Sequence, residues 1–127
     1  MNNVSNTDLV LDFLRSWGPT KQNMFAAFDT FMTEETVWEN VGLARTVGIE
    51  QAKAFVDAFP GAIDHIDVET LHIAAAGDVV LTERIDILYN EAGESVATLR
   101  VAGAFEVRNG RIVEWRDYFD TASLRGE

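Results

Sequence analysis

The chain has 127 residues, of which 47% are hydrophobic, and this length suits one domain over residues 1–127 but is too short for two. Its 21 acidic and 10 basic residues give a net charge of −11, which argues against a nucleic-acid partner because phosphate backbones are repelled. The chain contains no cysteine, so disulfides, a thiol nucleophile and thiolate metal sites are excluded.

The N-terminal residues lack the basic and apolar regions of a signal peptide, and no apolar run approaches the roughly 20 residues of a membrane span. We therefore expect a cytoplasmic protein with no membrane partner. The two histidines, His65 and His72, have no carboxylate or histidine at ligand spacing, so no metal site is expected.

Three helices are predicted in the first half of the chain. The first follows a capping-box-like segment at 5–8 and ends at Gly18-Pro19, with apolar residues at spacings of three and four. Thr20 can cap the second helix, whose methionine and phenylalanine stripe is expected to be core, with the lid of a ligand cavity as the alternative. A third amphipathic helix covers 49–59 and stops at Pro60-Gly61.

After the third helix the apolar period changes to two, which indicates strands. Four strands are predicted, at about 64–75, 79–89, 95–107 and 112–120. An earlier short strand at 36–41 carries Trp38 and Asn40 on one face, and residues 42–48 are expected to form a loop or a brief hairpin. Helices followed by a run of strands indicate an α+β fold, with the helices on one face of an antiparallel sheet.

The Asn109-Gly110 pair predicts a hairpin whose length sets the register of the last two strands. A two-residue loop would divide the apolar residues of these strands between opposite faces. A three-residue loop at 108–110 gathers them on one face and places Asp117 opposite Val101. We therefore predict the three-residue loop.

Three charged residues interrupt otherwise apolar strand faces. Arg84 and Asp86 are two residues apart and project from the same face, while Asp117 shares its face with Trp115 and Phe119. If the three groups meet in one pocket, two carboxylates around one cation tend to hold one proton between them. A salt-bridge network that only fixes strand register is the alternative, and residue spacing alone does not decide between the two.

Such a group would have the parts needed for hydrolysis without a covalent intermediate. One carboxyl protonates a leaving oxygen and the other activates water, while Arg84 keeps its proton and bridges the two. Asn40 adds an amide that can donate a hydrogen bond to a water or accept one from it.

Two segments resemble the limonene-1,2-epoxide hydrolase family: Thr-Glu-Arg-Ile-Asp at 82–86 and Trp-Arg-Asp-Tyr-Phe-Asp at 115–120. The resemblance spans essentially the whole chain in element order. It implies a cystatin-like, cone-shaped α+β fold, shared with ketosteroid isomerases and polyketide cyclases. In that fold a curved mixed or antiparallel sheet carries three helices from the N-terminal half on its concave face.

The resemblance also implies roles for individual residues. Asp86 is similar to the acid that protonates the epoxide oxygen, Arg84 to the bridging arginine, and Asp117 to the base that activates water. The family holds this water with an asparagine, matched by Asn40, and with a tyrosine, where this chain has Trp38. An indole N–H donates a hydrogen bond but cannot accept one, so Trp38 can hold the water only as a donor. The indole is also larger than a phenol and leaves a smaller or reshaped pocket.

We therefore predict a cofactor-independent epoxide hydrolase that acts on a small apolar epoxide and water. One alternative is an isomerase or cyclase on the same fold, which needs a base near a carbon acid and donors for an enolate oxygen. Another is a non-catalytic small-ligand binding protein, which the replacement at Trp38 favours.

The strand at 79–89 is apolar on its second face as well, where Leu81, Ile85 and Ile87 lie. A sheet with two apolar faces in a chain of this length predicts a homodimer in which the partner covers the second face. The alternative is that the C-terminal tail folds over it.

Overall fold

Three helices and six strands make up the computed structural model of the protein, which describes residues 5–124 and the side chains of residues 5–122. The helices are α1 (Asn6–Arg15), α2 (Lys21–Phe31) and α3 (Ile49–Ala58). The strands are β1 (Val37–Asn40), β2 (Ala44–Val47), β3 (Ile63–Ala76), β4 (Val79–Asn90), β5 (Ser95–Arg108) and β6 (Arg111–Tyr118). A short 3₁₀ helix follows at Thr121–Leu124, so the last strand ends two residues before its predicted end.

The strands form one sheet in the order β2-β1-β6-β5-β4-β3. Neighbouring strands are antiparallel except for β1 and β6, which run parallel, so the sheet is mixed. Residues 42–48 form a tight turn and β2, which confirms the brief hairpin. The parallel pairing brings the short strand β1 beside the C-terminal strand, and this contact between distant parts of the chain positions the site.

Side-chain caps begin the first two helices where the sequence predicts them. The Ser5 hydroxyl oxygen accepts a hydrogen bond from the backbone N–H of Asp8, and Thr20 forms a reciprocal capping box with Asn23. All three helices bury their apolar faces against the same, concave side of the curved sheet, in one core that also contains Phe105 and Trp115. The predicted α+β architecture is therefore confirmed.

The predicted hairpin loop is wrong. Arg108 pairs with Arg111, which leaves a two-residue loop whose residues both have positive φ, 52° at Asn109 and 75° at Gly110. An extra residue, Val113, then interrupts the pairing as a β-bulge, because Val107 opposes Ile112 while Glu106 opposes Glu114.

The bulge also changes every predicted partner on β6. Asp117 lies opposite Gly103 rather than Val101, and Trp115 lies opposite Phe105. The single apolar face that motivated the prediction does form, with Ile112 buried in it instead of Val113. It forms because the bulge shifts β6 by one residue relative to β5. A three-residue loop would also shift the register by one residue, so either device gathers the apolar residues on one face.

The second face of the sheet is partly apolar and exposed among the described residues. Leu81 is 51% exposed and Tyr118 is 47% exposed. The described part of the C-terminal segment leaves Leu81 open, and residues 125–127 lie outside the described residues. Within residues 5–124, no helix is both long enough and apolar enough to cross a membrane.

Candidate active site

The charged residues of the strands meet on the concave face of the sheet. Arg84 and Asp86 project from β4 and Asp117 from β6, with β5 between them, and Asn40 on β1 pairs directly with Asp117. All four are buried, with between 1% and 6% of each residue exposed. The structure therefore brings together the four polar residues that the sequence singled out.

Arg84 holds both carboxylates. Its Nε and Nη2 atoms donate to the two carboxylate oxygens of Asp86, each at 2.9 Å, and Nη2 also donates to Oδ2 of Asp117 at 2.8 Å. The guanidinium lies within 6 Å of two aromatic rings, 5.6 Å from that of Trp17 and 5.8 Å from that of Phe105. Bidentate pairing and ring contacts together fix its orientation.

The surroundings of Asp86 and Arg84 shift their pKa values. Burial raises the pKa of Asp86, the nearby charge of Asp117 raises it further, and the charge and hydrogen bonds of Arg84 only partly offset these effects. Burial alone would lower the pKa of Arg84, but Asp117 and Asp86 together raise it above its usual range. The site therefore combines a permanent cation with a carboxyl group, Asp86, whose pKa lies above its usual range.

Sequence reasoning missed two residues that contact the guanidinium, Thr82 and Gly103. Thr82 accepts a hydrogen bond from Nη1 of Arg84 at 3.2 Å and donates to the Gly103 carbonyl oxygen at 3.3 Å. A Cβ atom at Gly103 would collide with Nη1 of Arg84 and would lie 2.8 Å from Oδ1 of Asp117. Gly103 is thus the gap in β5 across which Arg84 reaches Asp117, and a glycine inside a predicted strand was the signal for it.

Trp115 is a third residue whose contact sequence reasoning missed. Its indole Nε1 donates to Oδ1 of Asp117 at 2.8 Å, so each oxygen of this carboxylate receives a hydrogen bond. The motif at 115–120 contains both residues, but strand periodicity indicated only that they share a face.

A largely apolar cavity opens beside these polar groups. The centre of a water molecule can reach about 50 Å³ of it, which is room for several waters. Met24 and Phe28 belong both to the core and to the cavity wall, so the two predicted roles of the α2 stripe are combined. The aromatic residues of the wall are Trp17, Phe28, Trp38, Phe55, Phe59, Trp115 and Phe119.

Trp38 lies in this wall and stacks on Trp115, with ring centroids 4.3 Å apart and planes 6° apart. Its Nε1 is buried, as is that of Trp17, and neither has an acceptor within the described part of the chain. A buried donor without a partner costs roughly 1–3 kcal/mol, and both of these donors belong to residues of the cavity wall.

The histidines lie outside the site. Nδ1 of His65 is 2.9 Å from Asp64, and Nδ1 of His72 is 2.8 Å from Glu83. Across residues 5–124, no cluster of three or more histidine and acidic side chains is arranged to hold a metal ion.

Comparison with known proteins agrees with this geometry. The family profile described as the limonene-1,2-epoxide hydrolase catalytic domain matches residues 4–125. The chain is 38% identical over 100 residues to the epoxide hydrolase EphG of Mycobacterium tuberculosis, and the match covers 79% of this chain and 65% of that relative's length.

Two solved structures share the fold. An M. tuberculosis LEH-like epoxide hydrolase has a TM-score of 0.76 at 32% identity, over 95% of this chain and 86% of that chain. A Catenulispora acidiphila protein with the ketosteroid isomerase-like fold has a TM-score of 0.70 at 19% identity, over 94% of this chain and 91% of that chain.

These findings define first the class and then the family. The mixed sheet with three helices on its concave face is the cone-shaped α+β fold of ketosteroid isomerase-like proteins. Within that class, the chain belongs to the limonene-1,2-epoxide hydrolase family. The resemblance carried by the two sequence segments is confirmed.

The gap at Gly103 yields a prediction about the site's assembly. In Gly103→Ala the new methyl group must displace Arg84, because its nearest contact would be the guanidinium and the next two would be Asp117 and Thr82, all of them buried. We expect a loss of about 1–3 kcal/mol in the free energy of unfolding, measured by urea denaturation. A crystal structure should show the bond between Arg84 and Asp117 broken.

Ala102→Gly is the matched control for this change. Ala102 neighbours Gly103 on β5 but is exposed, so the variant alters the same strand without touching the guanidinium. It should lose only about 0.5–1 kcal/mol, from strand flexibility. Equal stability of Gly103→Ala and wild type would contradict the assigned role of Gly103.

Proposed function

We propose that this protein is an epoxide hydrolase that converts a small or terpene-like epoxide to a vicinal diol by one-step attack of water, without a cofactor. The observation that carries the proposal is the buried Arg84 that joins Asp86 and Asp117 beside a largely apolar cavity. Membership of the limonene-1,2-epoxide hydrolase family supports the same reaction. An apolar wall with a few convergent polar groups suits a substrate whose epoxide oxygen is its reactive polar atom.

Asp86 acts as the general acid in this proposal. Its raised pKa favours the protonated form, and its place in the cavity wall supports contact with substrate. As the epoxide C–O bond breaks, Asp86 gives its proton to the oxygen, which leaves as a hydroxyl group rather than an alkoxide.

Asp117 acts as the general base. Its carboxylate accepts the proton of a water whose oxygen forms the new bond to carbon. Asn40 and Trp38 hold this water: Asn40 pairs with Asp117 across the sheet, and the Trp38 N–H has no acceptor among the described residues. The role of Trp38 is supported by its place in the cavity wall at the position of the family's tyrosine, since an indole N–H can donate to the water oxygen while Asp117 takes the proton.

Arg84 keeps its charge throughout the reaction. One proton leaves Asp86 and one reaches Asp117, so the total charge of the three groups is unchanged. Because Nη2 of Arg84 donates to both carboxylates, the cation stays in contact with whichever group is ionised. Acid, base and nucleophile are all protein groups or water, so the step requires no cofactor.

A non-catalytic binding protein remains the second candidate, because Trp38 replaces a water-binding tyrosine with a larger indole in the cavity wall. Diol formation from any epoxide by the purified protein separates the two functions.

We further propose that the protein is cytoplasmic and that a second copy covers the exposed face of the sheet. Exposure of Leu81 and Tyr118 on that face supports the homodimer. Light scattering should give about twice the 14.1 kDa mass of the chain, and a monomeric mass would contradict it.

Isotope labelling tests the proposed one-step mechanism. An aspartate nucleophile would form an ester and place its own oxygen in the first diol. With enzyme in excess over cyclohexene oxide in ¹⁸O-labelled water, we expect the diol from the first turnover to carry the label, read by mass spectrometry. Unlabelled first-turnover diol, with label later found in Asp86 or Asp117, would overturn the mechanism but leave the hydrolase assignment intact.

The two carboxyl groups should each be essential. Asp86→Asn and Asp117→Asn should each lower diol formation by about 10²–10⁴-fold, because an amide can neither supply nor take the proton. Both variants should stay folded by circular dichroism, since each amide keeps the shape of the carboxylate it replaces. Near-full activity of Asp117→Asn with any accepted epoxide would show that another group is the base.

The pH dependence gives an independent check on Asp86. The acid works only when protonated, so wild-type kcat/KM should fall as pH rises through the raised pKa of Asp86. A rate that declines already at the pH where ordinary aspartates ionise would contradict its role as the acid.

Trp38 defines the last prediction for this function. Trp38→Tyr should preserve or raise hydrolysis, because it supplies a hydroxyl that can both donate to and accept from the water, and it frees cavity volume. Larger epoxides such as limonene-1,2-epoxide should gain most, measured as kcat/KM. Trp38→Phe, which frees similar volume without a hydroxyl, is the matched control. Loss of activity in Trp38→Tyr on every epoxide would show that the site depends on the indole.

A further inference from the structure

We infer that Trp115 is a positioning residue for the base: its indole N–H fixes the Asp117 carboxylate in the orientation that takes a proton from water. The inference rests on the proposed function, in which Asp117 is that base. It begins from the hydrogen bond between Nε1 of Trp115 and Oδ1 of Asp117, at 2.8 Å.

The two carboxylates of the site are held differently by Arg84. Asp86 receives two hydrogen bonds from the guanidinium, one on each oxygen, so its plane is fixed by Arg84 alone. Asp117 receives one, on Oδ2. A single bond leaves the carboxylate free to rotate about its Cβ–Cγ bond, which is a soft torsion.

The Trp115 N–H supplies the missing constraint. With Oδ1 bonded to the indole and Oδ2 to the guanidinium, both oxygens are held and the plane of Asp117 is set. An indole N–H is only a donor, so it stabilises the ionised base without competing for the proton that the base must accept.

Trp115 can serve as a fixed reference because it is itself immobile. It is 1% exposed and stacks between Trp38, at 4.3 Å and 6°, and Phe105, at 5.7 Å and 18°. Phe13 also packs against it in a T-shaped pair, with ring centroids 5.3 Å apart. Rings on several sides leave the indole no room to turn, so its N–H keeps one direction.

The orientation of the Asp117 carboxylate matters because Asn40, its neighbour on β1, is also fixed in place. Asn40 pairs with Asp117 through the parallel contact of β1 and β6. A water held by Asn40 can lose its proton only to a carboxylate lone pair directed at it, and a misaligned base reduces rate without weakening substrate binding.

The decisive experiment removes only the N–H. Replacing Trp115 with β-(3-benzothienyl)alanine keeps a bicyclic aromatic ring of the same shape but substitutes sulfur for the N–H group. We expect kcat for cyclohexene oxide to fall about 10–100-fold, with KM changed less than about threefold, because a hydrogen bond to a charged group is lost. Val10→Ala, a core change outside the cavity wall, controls for general loss of stability and should keep wild-type kcat in its folded fraction.

A spectroscopic measurement tests the bond without relying on activity. The chain has three tryptophans, so a ¹H–¹⁵N spectrum contains three indole signals, and Trp115→Phe assigns one of them. We expect the Trp115 signal to lie downfield of the other two and to move upfield in Asp117→Asn, where the charged acceptor is lost. The signals of Trp17 and Trp38, which have no acceptor in the described region, should move less.

The outcomes separate this inference from the proposed function. A benzothienyl variant with wild-type kcat overturns the positioning role, even if Asp117→Asn is inactive. The positioning role is also overturned if the benzothienyl variant raises KM as much as it lowers kcat. An indole signal that does not respond to Asp117→Asn overturns the hydrogen bond itself. If the wild type forms no diol, the proposed function fails, while the spectrum still reports whether Trp115 binds Asp117.

Discussion

The structure depends on one buried cation. Arg84 has no exposed side-chain surface, and a guanidinium in such a place must be neutralised and fully hydrogen-bonded. Burial raises the pKa of Asp86, and the nearby charge of Asp117, which already helps to neutralise the guanidinium, adds to that rise. The same ion pair ties β4 to β6 and holds both carboxyl groups against one cation.

That interaction constrains the strand that it crosses. The guanidinium lies over β5 at Gly103. Glycine is needed at this position because any side chain would displace the guanidinium. Gly103 stands opposite Asp117 because of the bulge at Val113, so register and site are set together. A one-residue slip of β6 would turn Asp117 and Trp115 to the outer face, and Arg84 would lose a partner that burial requires.

Much of this could be predicted from local pattern. The period of two put Arg84 and Asp86 on one face, the helical spacings indicated three helices, and two short segments were enough to identify the family. The hairpin loop could not be predicted, because a longer loop and a bulge give the same alternation of apolar residues. The parts played by Thr82 and Gly103 were missed because their partners lie on another strand or at the end of a long side chain. The bond from Trp115 was missed because strand period places it on the same face as Asp117 without showing that the indole N–H reaches the carboxylate.

The sequence by itself determined which chemical groups are present and which face of each strand carries them, since both follow from covalent spacing and backbone period. It also determined that Trp38 stands where the family has a tyrosine. Only the tertiary structure decided that β1 joins β6 in parallel, and that Asn40 thereby faces Asp117. The bond between Arg84 and Asp117 and the burial that raises the pKa of Asp86 arise from groups brought together across the chain, and sequence spacing holds no measure of those distances.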